Sequence, residues 1–180
     1  MAVVFVSGTL PGESPKTLAK QHEVVQDERG IASDAFAACA ERVEAIVALL
    51  TDRIDAALLA RAPKLRVVAN VAVGVDNVDL AACRARSVVV TNTPDVLTEA
   101  TADLAFGLLL AAARRIVEGD RLLRAGRFTG WTPTFLLGAR VHGSTLGVVG
   151  LGRIGRAVAR RARGFGLHVL YTQEKPLDPP

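Results

Sequence analysis

Aromatic side chains are scarce in this chain. Phe, Trp and Tyr together make up 4% of 180 residues, with one Trp and one Tyr. That scarcity argues against a nucleic-acid face built on base stacking. No basic stripe stands out either, although Lys and Arg outnumber Asp and Glu by 22 to 18. Cysteine is nearly absent. Cys39 and Cys83 are far apart, form no C-x-x-C pair and have no histidine nearby. A disulfide framework is excluded, and two small buried thiols in a reducing cytoplasm are expected instead. Long apolar runs are missing as well. The longest, Leu104 to Ala113, is ten residues, too short to cross a bilayer. The opening Met1-Ala-Val-Val-Phe-Val is apolar but too short and uncharged for a signal peptide, and it reads as a first strand. No Ser-His-Asp set and no metal-spaced cluster of His, Cys, Asp and Glu occurs. The three histidines, His22, His142 and His168, read as surface or loop residues.

What is abundant is Ala, Val and Leu. Half of the chain is hydrophobic. That mix suits Val-rich parallel strands beneath Ala- and Leu-rich helices. Residues 1–94 alternate between the two. Strands are expected at Val3 to Val6, Glu23 to Gln26, Ala45 to Leu50, Leu65 to Val73 and Val88 to Thr91. Helices are expected at Ser14 to Lys20, Ser33 to Arg42, Asp55 to Arg61 and Leu80 to Arg86, with Pro15 in a first turn and Ser33 as a cap. Such alternation predicts an α/β fold whose open parallel sheet is covered on both faces.

From Val96 to about Arg127 the strand signal vanishes, and apolar residues fall at helical spacing. Asp95 or Thr98 could cap the start, and Gly119 and Gly126 suggest interruptions or ends. Residues 127–143 read as a loop holding Trp131, Pro133 and Phe135. A β-α-β unit follows: a strand at Leu146 to Val149, a helix to about Arg163 and a strand at His168 to Tyr171.

The junction of that unit carries Gly150-Leu-Gly-Arg-Ile-Gly155, a G-x-G-x-x-G run between strand and helix. Each glycine has a mechanical role in a dinucleotide turn. Gly150 allows the tight turn, Gly152 lets backbone approach a pyrophosphate, and Gly155 lets the helix pack on the strand. Amides at the helix start would then face the phosphates. An acid is expected at the end of the second strand to hold the ribose of NAD. Gln173 stands there, Glu174 is one residue late and Lys175 is adjacent. This neutral end leans toward NADP, while Glu174 turned inward would restore NAD. Only 25 residues follow Gly155, so the dinucleotide unit is expected to be truncated.

Two further motifs are Asn70-Val-Ala-Val-Gly-Val-Asp-Asn-Val-Asp79 and Asn92-Thr-Pro-Asp-Val-Leu-Thr-Glu-Ala-Thr-Ala-Asp103. The first reads either as a strand end with a helix cap or as amides around Val73, Gly74 and Val75 cradling an anion. Together with Gly126-Arg-Phe-Thr-Gly-Trp131 and the glycine run, they make the chain resemble the D-isomer-specific 2-hydroxyacid dehydrogenases, nearest to their glyoxylate/hydroxypyruvate reductase branch.

The resemblance implies a flavodoxin-like substrate lobe over 1–94 and the incomplete start of a Rossmann-type NAD(P)-binding lobe over 95–180. It implies a small 2-oxo or 2-hydroxy acid held by its carboxylate at Val73 and Gly74. It sets Thr101 near the nicotinamide and a pyrophosphate against Gly150, Leu151, Gly152, Arg153, Ile154 and Gly155, with Gln173 and Glu174 at the ribose. A homodimer through residues 96–125 follows too, and neither nucleic acid nor membrane is expected as a partner. The arginine, glutamate and histidine that the family uses for catalysis come from a later part of the cofactor lobe, so no catalytic residue is assigned and the chain alone is expected to be inactive. Two other readings remain. One is a non-catalytic dimerising, nucleotide-binding or co-regulator module. The other is a phosphite- or formate-type dehydrogenase, against which Val73 argues because it offers a dianion no cation.

Overall fold

The computed structural model describes residues 1–174. The chain forms two compact units, Met1–Pro94 and a second beginning at Asp95. The first holds five strands, β1 (Val3–Ser7), β2 (Glu23–Asp27), β3 (Val43–Ala48), β4 (Val67–Asn70) and β5 (Val89–Thr91). All neighbouring pairs are parallel, in the order β2-β1-β3-β4-β5. That order reverses direction between β1 and β3, the doubly wound arrangement in which ligands sit beyond the carboxyl ends of the strands.

Helices α1 (Ser14–Ala19), α2 (Asp34–Cys39), α3 (Ala56–Arg61) and α4 (Leu80–Ala85) connect the strands. Three of them start on side-chain caps, each offering an oxygen to an amide with no intrahelical partner. Ser33 accepts from Phe36 N at 3.1 Å, Asp55 from Leu58 N at 3.0 Å and Asp79 from Ala82 N at 2.8 Å.

The core lies between alternate strand positions and α2 to α4. Val3, Phe5, Ile46, Ala48 and Val68 meet Phe36 and Cys39, Leu58 and Leu59, and Cys83. Phe5 and Phe36 pack edge to face with centroids 5.0 Å apart, and the Arg61 guanidinium covers the Phe36 ring. The expected cover on both faces is incomplete. α1 buries none of its residues, and Val47, Val67 and Ala69, on the opposite strand face, stay partly exposed.

Other departures have local causes. β3 ends at Ala48 rather than Leu50, because the Asp52 carboxylate takes Leu49 N at 2.7 Å and curls the chain. β4 spans only Val67–Asn70. Leu65 N bonds back to Ala62 O, and Ala72 N folds onto Asn70 O.

The second unit contains α5 (Thr98–Ala113), α6 (Ile116–Arg124), β6 (Thr145–Val149), α7 (Arg153–Arg163) and β7 (His168–Thr172), with β6 and β7 parallel. The cap of α5 is Leu97, without a side-chain bond; neither Asp95 nor Thr98 serves. The long helical stretch breaks at Arg114–Arg115, not at Gly119, which lies inside α6. Arg115 adopts φ +55° and is held by Glu118 and by Leu137 O. Ala139 N bonds Ala113 O at 2.8 Å, and a Cβ at Gly138 would strike that same carbonyl. A returning loop thus ends α5. Gly126, at φ +64°, follows the last turn of α6.

α5 and α7 approach through small side chains. Ala102, Phe106, Ala157 and Ala162 are buried, and Phe106 stacks on Phe165 at 5.0 Å. Arg161 donates to Asp103 at 2.6 Å and Arg160 to Glu99 at 2.6 Å across this contact. Leu104, Leu108, Ile116, Val117 and Leu123 of α5 and α6 are exposed. Among the described residues no helix is long and apolar enough to cross a membrane.

Two expectations follow. Phe36→Ala removes a fully buried ring and is expected to cost about 3–5 kcal/mol in urea unfolding, whereas Leu50→Ala, at 61% exposed, should change stability by under about 0.5 kcal/mol. Burial pushes both thiol pKa values up, so Cys39 and Cys83 should resist iodoacetamide in the native protein and react on unfolding. Because the unfolded thiols ionise first, unfolding should become easier as pH rises past their ordinary value of 9.0.

Candidate functional site

Asn70, the last residue of β4, is 1% exposed. A buried carboxamide must find partners, and this one finds them in the loop that follows. Asn70 Nδ2 donates to Gly74 O at 3.0 Å and to Asn77 Oδ1 at 3.2 Å, and Asn70 Oδ1 accepts from Asn77 Nδ2 at 3.1 Å. Asn77 Nδ2 also reaches Leu49 O and Asp52 O, binding the loop after β4 to the loop after β3.

Three further carbonyls of the loop are held as well. Thr93 N donates to Ala72 O at 2.8 Å, Asn92 Nδ2 to Val73 O at 2.9 Å and Val78 N to Val75 O at 2.9 Å. The amides of Val73, Gly74 and Val75 have no acceptor among the described residues. A trans peptide points its N–H opposite to its C=O, so three successive N–H groups face away from the residues that hold the carbonyls. Gly74 is exposed and Val73 partly buried. A neighbouring groove of about 400 Å³ is lined by Leu50–Asp55 and Asp76–Asp79. It does not include Val73 or Gly74, and its aspartates would repel an anion.

The turn after β6 offers amides by a different route. Gly150 has φ +89°, and its N–H bonds Thr172 O at 2.7 Å. A Cβ on Gly155 would strike the Gly150 carbonyl, so α7 can approach β6 only with glycine there. Gly152 is the N-cap of α7, with no side-chain cap, and space is open around its Cα. The amides of Gly152, Arg153, Ile154 and Gly155 have no acceptor among the described residues. They gather at the positive end of the α7 dipole.

Leu151 N is the exception; it donates to Gln173 Oε1 at 3.3 Å. Gln173, partly buried, therefore lies against the turn, while Glu174 is exposed. Lys175 lies outside the described residues. The Arg153 guanidinium pairs with Asp95 at 3.1 Å, and Thr101 sits partly buried in the first turn of α5. The residues present fit a dinucleotide: the open space at Gly152 and the row of amides suit a diphosphate, and no metal-binding group of His, Cys, Asp and Glu occurs among the described residues.

The histidines lie at the strand ends opposite to the two amide turns. His22 precedes β2, His142 precedes β6 and His168 opens β7. In parallel strands these are the amino ends, whereas both amide turns follow carboxyl ends. The three asparagines, by contrast, were present in the sequence motifs without being assigned a role. The available signal was Asn70 itself, a polar residue ending an apolar strand.

The model of the D-isomer specific 2-hydroxyacid dehydrogenase catalytic domain matches residues 3–175. A glyoxylate reductase from Pyrococcus horikoshii is 48% identical over 174 residues, covering 93% of this chain and 52% of that protein. Among solved structures, one from Thermus thermophilus is 45% identical with a TM-score of 0.89, covering 99% of this chain and 58% of its own. An NADPH-dependent glyoxylate/hydroxypyruvate reductase from Sinorhizobium meliloti, in complex with NADP and malonate, is 35% identical with a TM-score of 0.79, over 98% of this chain and 55% of its own. The chain spans about half the length of the curated relatives it matches. With a family match across nearly all of its residues, and with both amide turns at the carboxyl ends of parallel strands, this chain belongs to the D-isomer specific 2-hydroxyacid dehydrogenase family.

Proposed function

We propose that this chain is the amino-terminal part of an NAD(P)-dependent reductase of small 2-oxo acids such as glyoxylate or hydroxypyruvate. The observation that carries the reading is the run of three amides at Val73, Gly74 and Val75 that have no acceptor among the described residues. Such a run suits a carboxylate, whose two oxygens accept several N–H bonds at once. The bound nicotinamide cofactor supplies the hydride that reduces the carbonyl carbon. The amides of Gly152, Arg153, Ile154 and Gly155 hold its diphosphate, Gly150 and Leu151 shape that turn, and Thr101 lies toward the nicotinamide end. Gln173 and Glu174 are assigned to the ribose. A neutral carboxamide against Leu151 N, in place of a carboxylate, supports NADP over NAD.

Reduction also needs a cation for the carboxylate and a proton donor for the carbonyl oxygen. None of the described histidines stands at a carboxyl-end turn of its own unit, so the 180-residue chain alone is expected to be inactive. The exposed Leu104, Leu108, Ile116 and Val117 support a homodimer through residues 96–125. The same surface favours a second reading, a dimerising or co-regulatory module without turnover. A cytoplasmic location fits the two buried free thiols. A phosphite-type activity is disfavoured, since Val73 brings no positive charge to the amide run.

Calorimetric titration of the chain should give tighter binding for NADPH than for NADH, and the reverse order would favour NAD. Gly152→Ala fills open space, so it should alter stability by no more than about 1 kcal/mol. The added methyl should nonetheless weaken dinucleotide binding about tenfold or more. Oxidation of NADPH with glyoxylate, followed at 340 nm as absorbance of the reduced nicotinamide, should stay at the blank rate with this chain alone. Turnover would show a proton donor within it.

A further inference from the structure

We propose that Asn92 and Asn70 are positioning residues for the carboxylate, acting through the backbone rather than by touching the substrate. The inference rests on the reading of Val73–Val75 as the carboxylate site, and it identifies what makes that site ready to bind.

When no anion is present, three N–H groups without an acceptor gain nothing from facing a ligand site. Each peptide would relax by rotating its N–H out of line. The opportunity is greatest at Gly74, which has no Cβ to restrain the peptides on either side of it. A flip of the 73–74 peptide turns Gly74 N–H away and presents Val73 O to the ligand. A flip of the 74–75 peptide does the same with Val75 N–H and Gly74 O. Either one replaces a donor by an acceptor and would repel a carboxylate.

Each of these two peptides is held by an asparagine. Asn92 Nδ2 holds Val73 O at 2.9 Å, and Asn70 Nδ2 holds Gly74 O at 3.0 Å. The third, 72–73, is held by the backbone of Thr93. The two holders come from different elements. Asn70 ends β4 and is locked by its reciprocal pair with Asn77, while Asn92 follows β5 and is exposed. A flip would have to break a side-chain bond on one strand end or the other. Asparagine is suited to the task. An aspartate has no proton to donate to a carbonyl, and it would add a negative charge behind a site meant for an anion. The geometry is therefore set before the ligand arrives.

Asn92 separates this role from a structural one. Among the described residues its side chain makes one bond, to Val73 O, and Val73 O could take a water instead if Asn92 were removed. Loss of the side chain should leave the fold intact and free the peptide to flip.

The test is NMR titration of the ¹⁵N-labelled 180-residue chain with oxamate and, separately, glycolate, reading the amide shifts of Val73, Gly74 and Val75. The native chain should give saturable shifts at these three amides. Asn92→Ala should raise the Kd about tenfold or more, with an unchanged urea midpoint and unchanged amide shifts elsewhere. Asn92→Gln, which keeps a donor, should recover part of the affinity. Asn70→Ala should weaken binding similarly if it folds; if it does not, the Asn92 variants decide. Equal affinity in Asn92→Ala and the native chain would overturn the proposal. So would a loss of affinity matched by a lowered urea midpoint, which would make Asn92 a structural residue only. No response at Val73–Val75 in the native chain would instead remove the carboxylate reading itself, and this proposal with it.

Discussion

The reciprocal carboxamide pair of Asn70 and Asn77 is the interaction on which the carboxyl edge of the first unit depends. The chain leaving β4 has given up its ladder, and its polar backbone groups must be met by something other than a neighbouring strand. Asn77 meets the loop after β3, Asn70 meets the loop after β4, and the two side chains meet each other. Asp52 contributes from below by taking Leu49 N and, at longer range, Ile31 N. With Asn92 and Thr93 these groups hold the carbonyls of Ala72, Val73 and Gly74, and the amides of Val73, Gly74 and Val75 are left without an acceptor among the described residues. An open loop of the same length with no such pair would have distributed its donors and acceptors in all directions.

The two units reach the same outcome, a run of N–H groups without an acceptor among the described residues, by different physical means. At β4 the carbonyls are fixed one at a time by side chains and by the backbone of Thr93 and Val78. At β6 the helix does the work: the first turn of any α-helix has unpaired amides, and α7 begins at a residue with no capping side chain. The first solution depends on particular residues lying outside the turn. The second depends on glycine within it. This explains why the glycine turn is visible as a motif whereas the supporting asparagines are not.

Much of the fold was legible in the residues. Ser33, Asp55 and Asp79 each stand where a polar residue precedes an Ala- or Leu-rich stretch, and each caps a helix. The Val-rich strands and their short connections were legible for the same reason, since parallel strands buried on a helix-covered face need little besides apolar residues. What sequence patterning could not show was where long-range bonds override local preference. Val71 and Val73 read as strand, but the pull of Asn70 and Thr93 bends them into a loop. Arg115 takes a left-handed conformation that favours glycine, because residues more than twenty positions later return to occupy the carbonyl of Ala113. Gly119, the residue that looked like a breaker, is absorbed inside a helix whose ends are set elsewhere.

In the second unit, Gly155 against the Gly150 carbonyl and the Val148 side chain leaves no slack between strand and helix. The spacing of the layers is thus set by the smallest side chains available. Mutational tolerance in α7 is therefore divided sharply by face. Its outward Arg163 is free to vary in kind and length, and Arg156 and Arg160 only as far as their bonds to Leu151 O and Glu99 allow, while at Gly155 the addition of a single carbon would lever the helix off its strand and carry the amides of its first turn out of line.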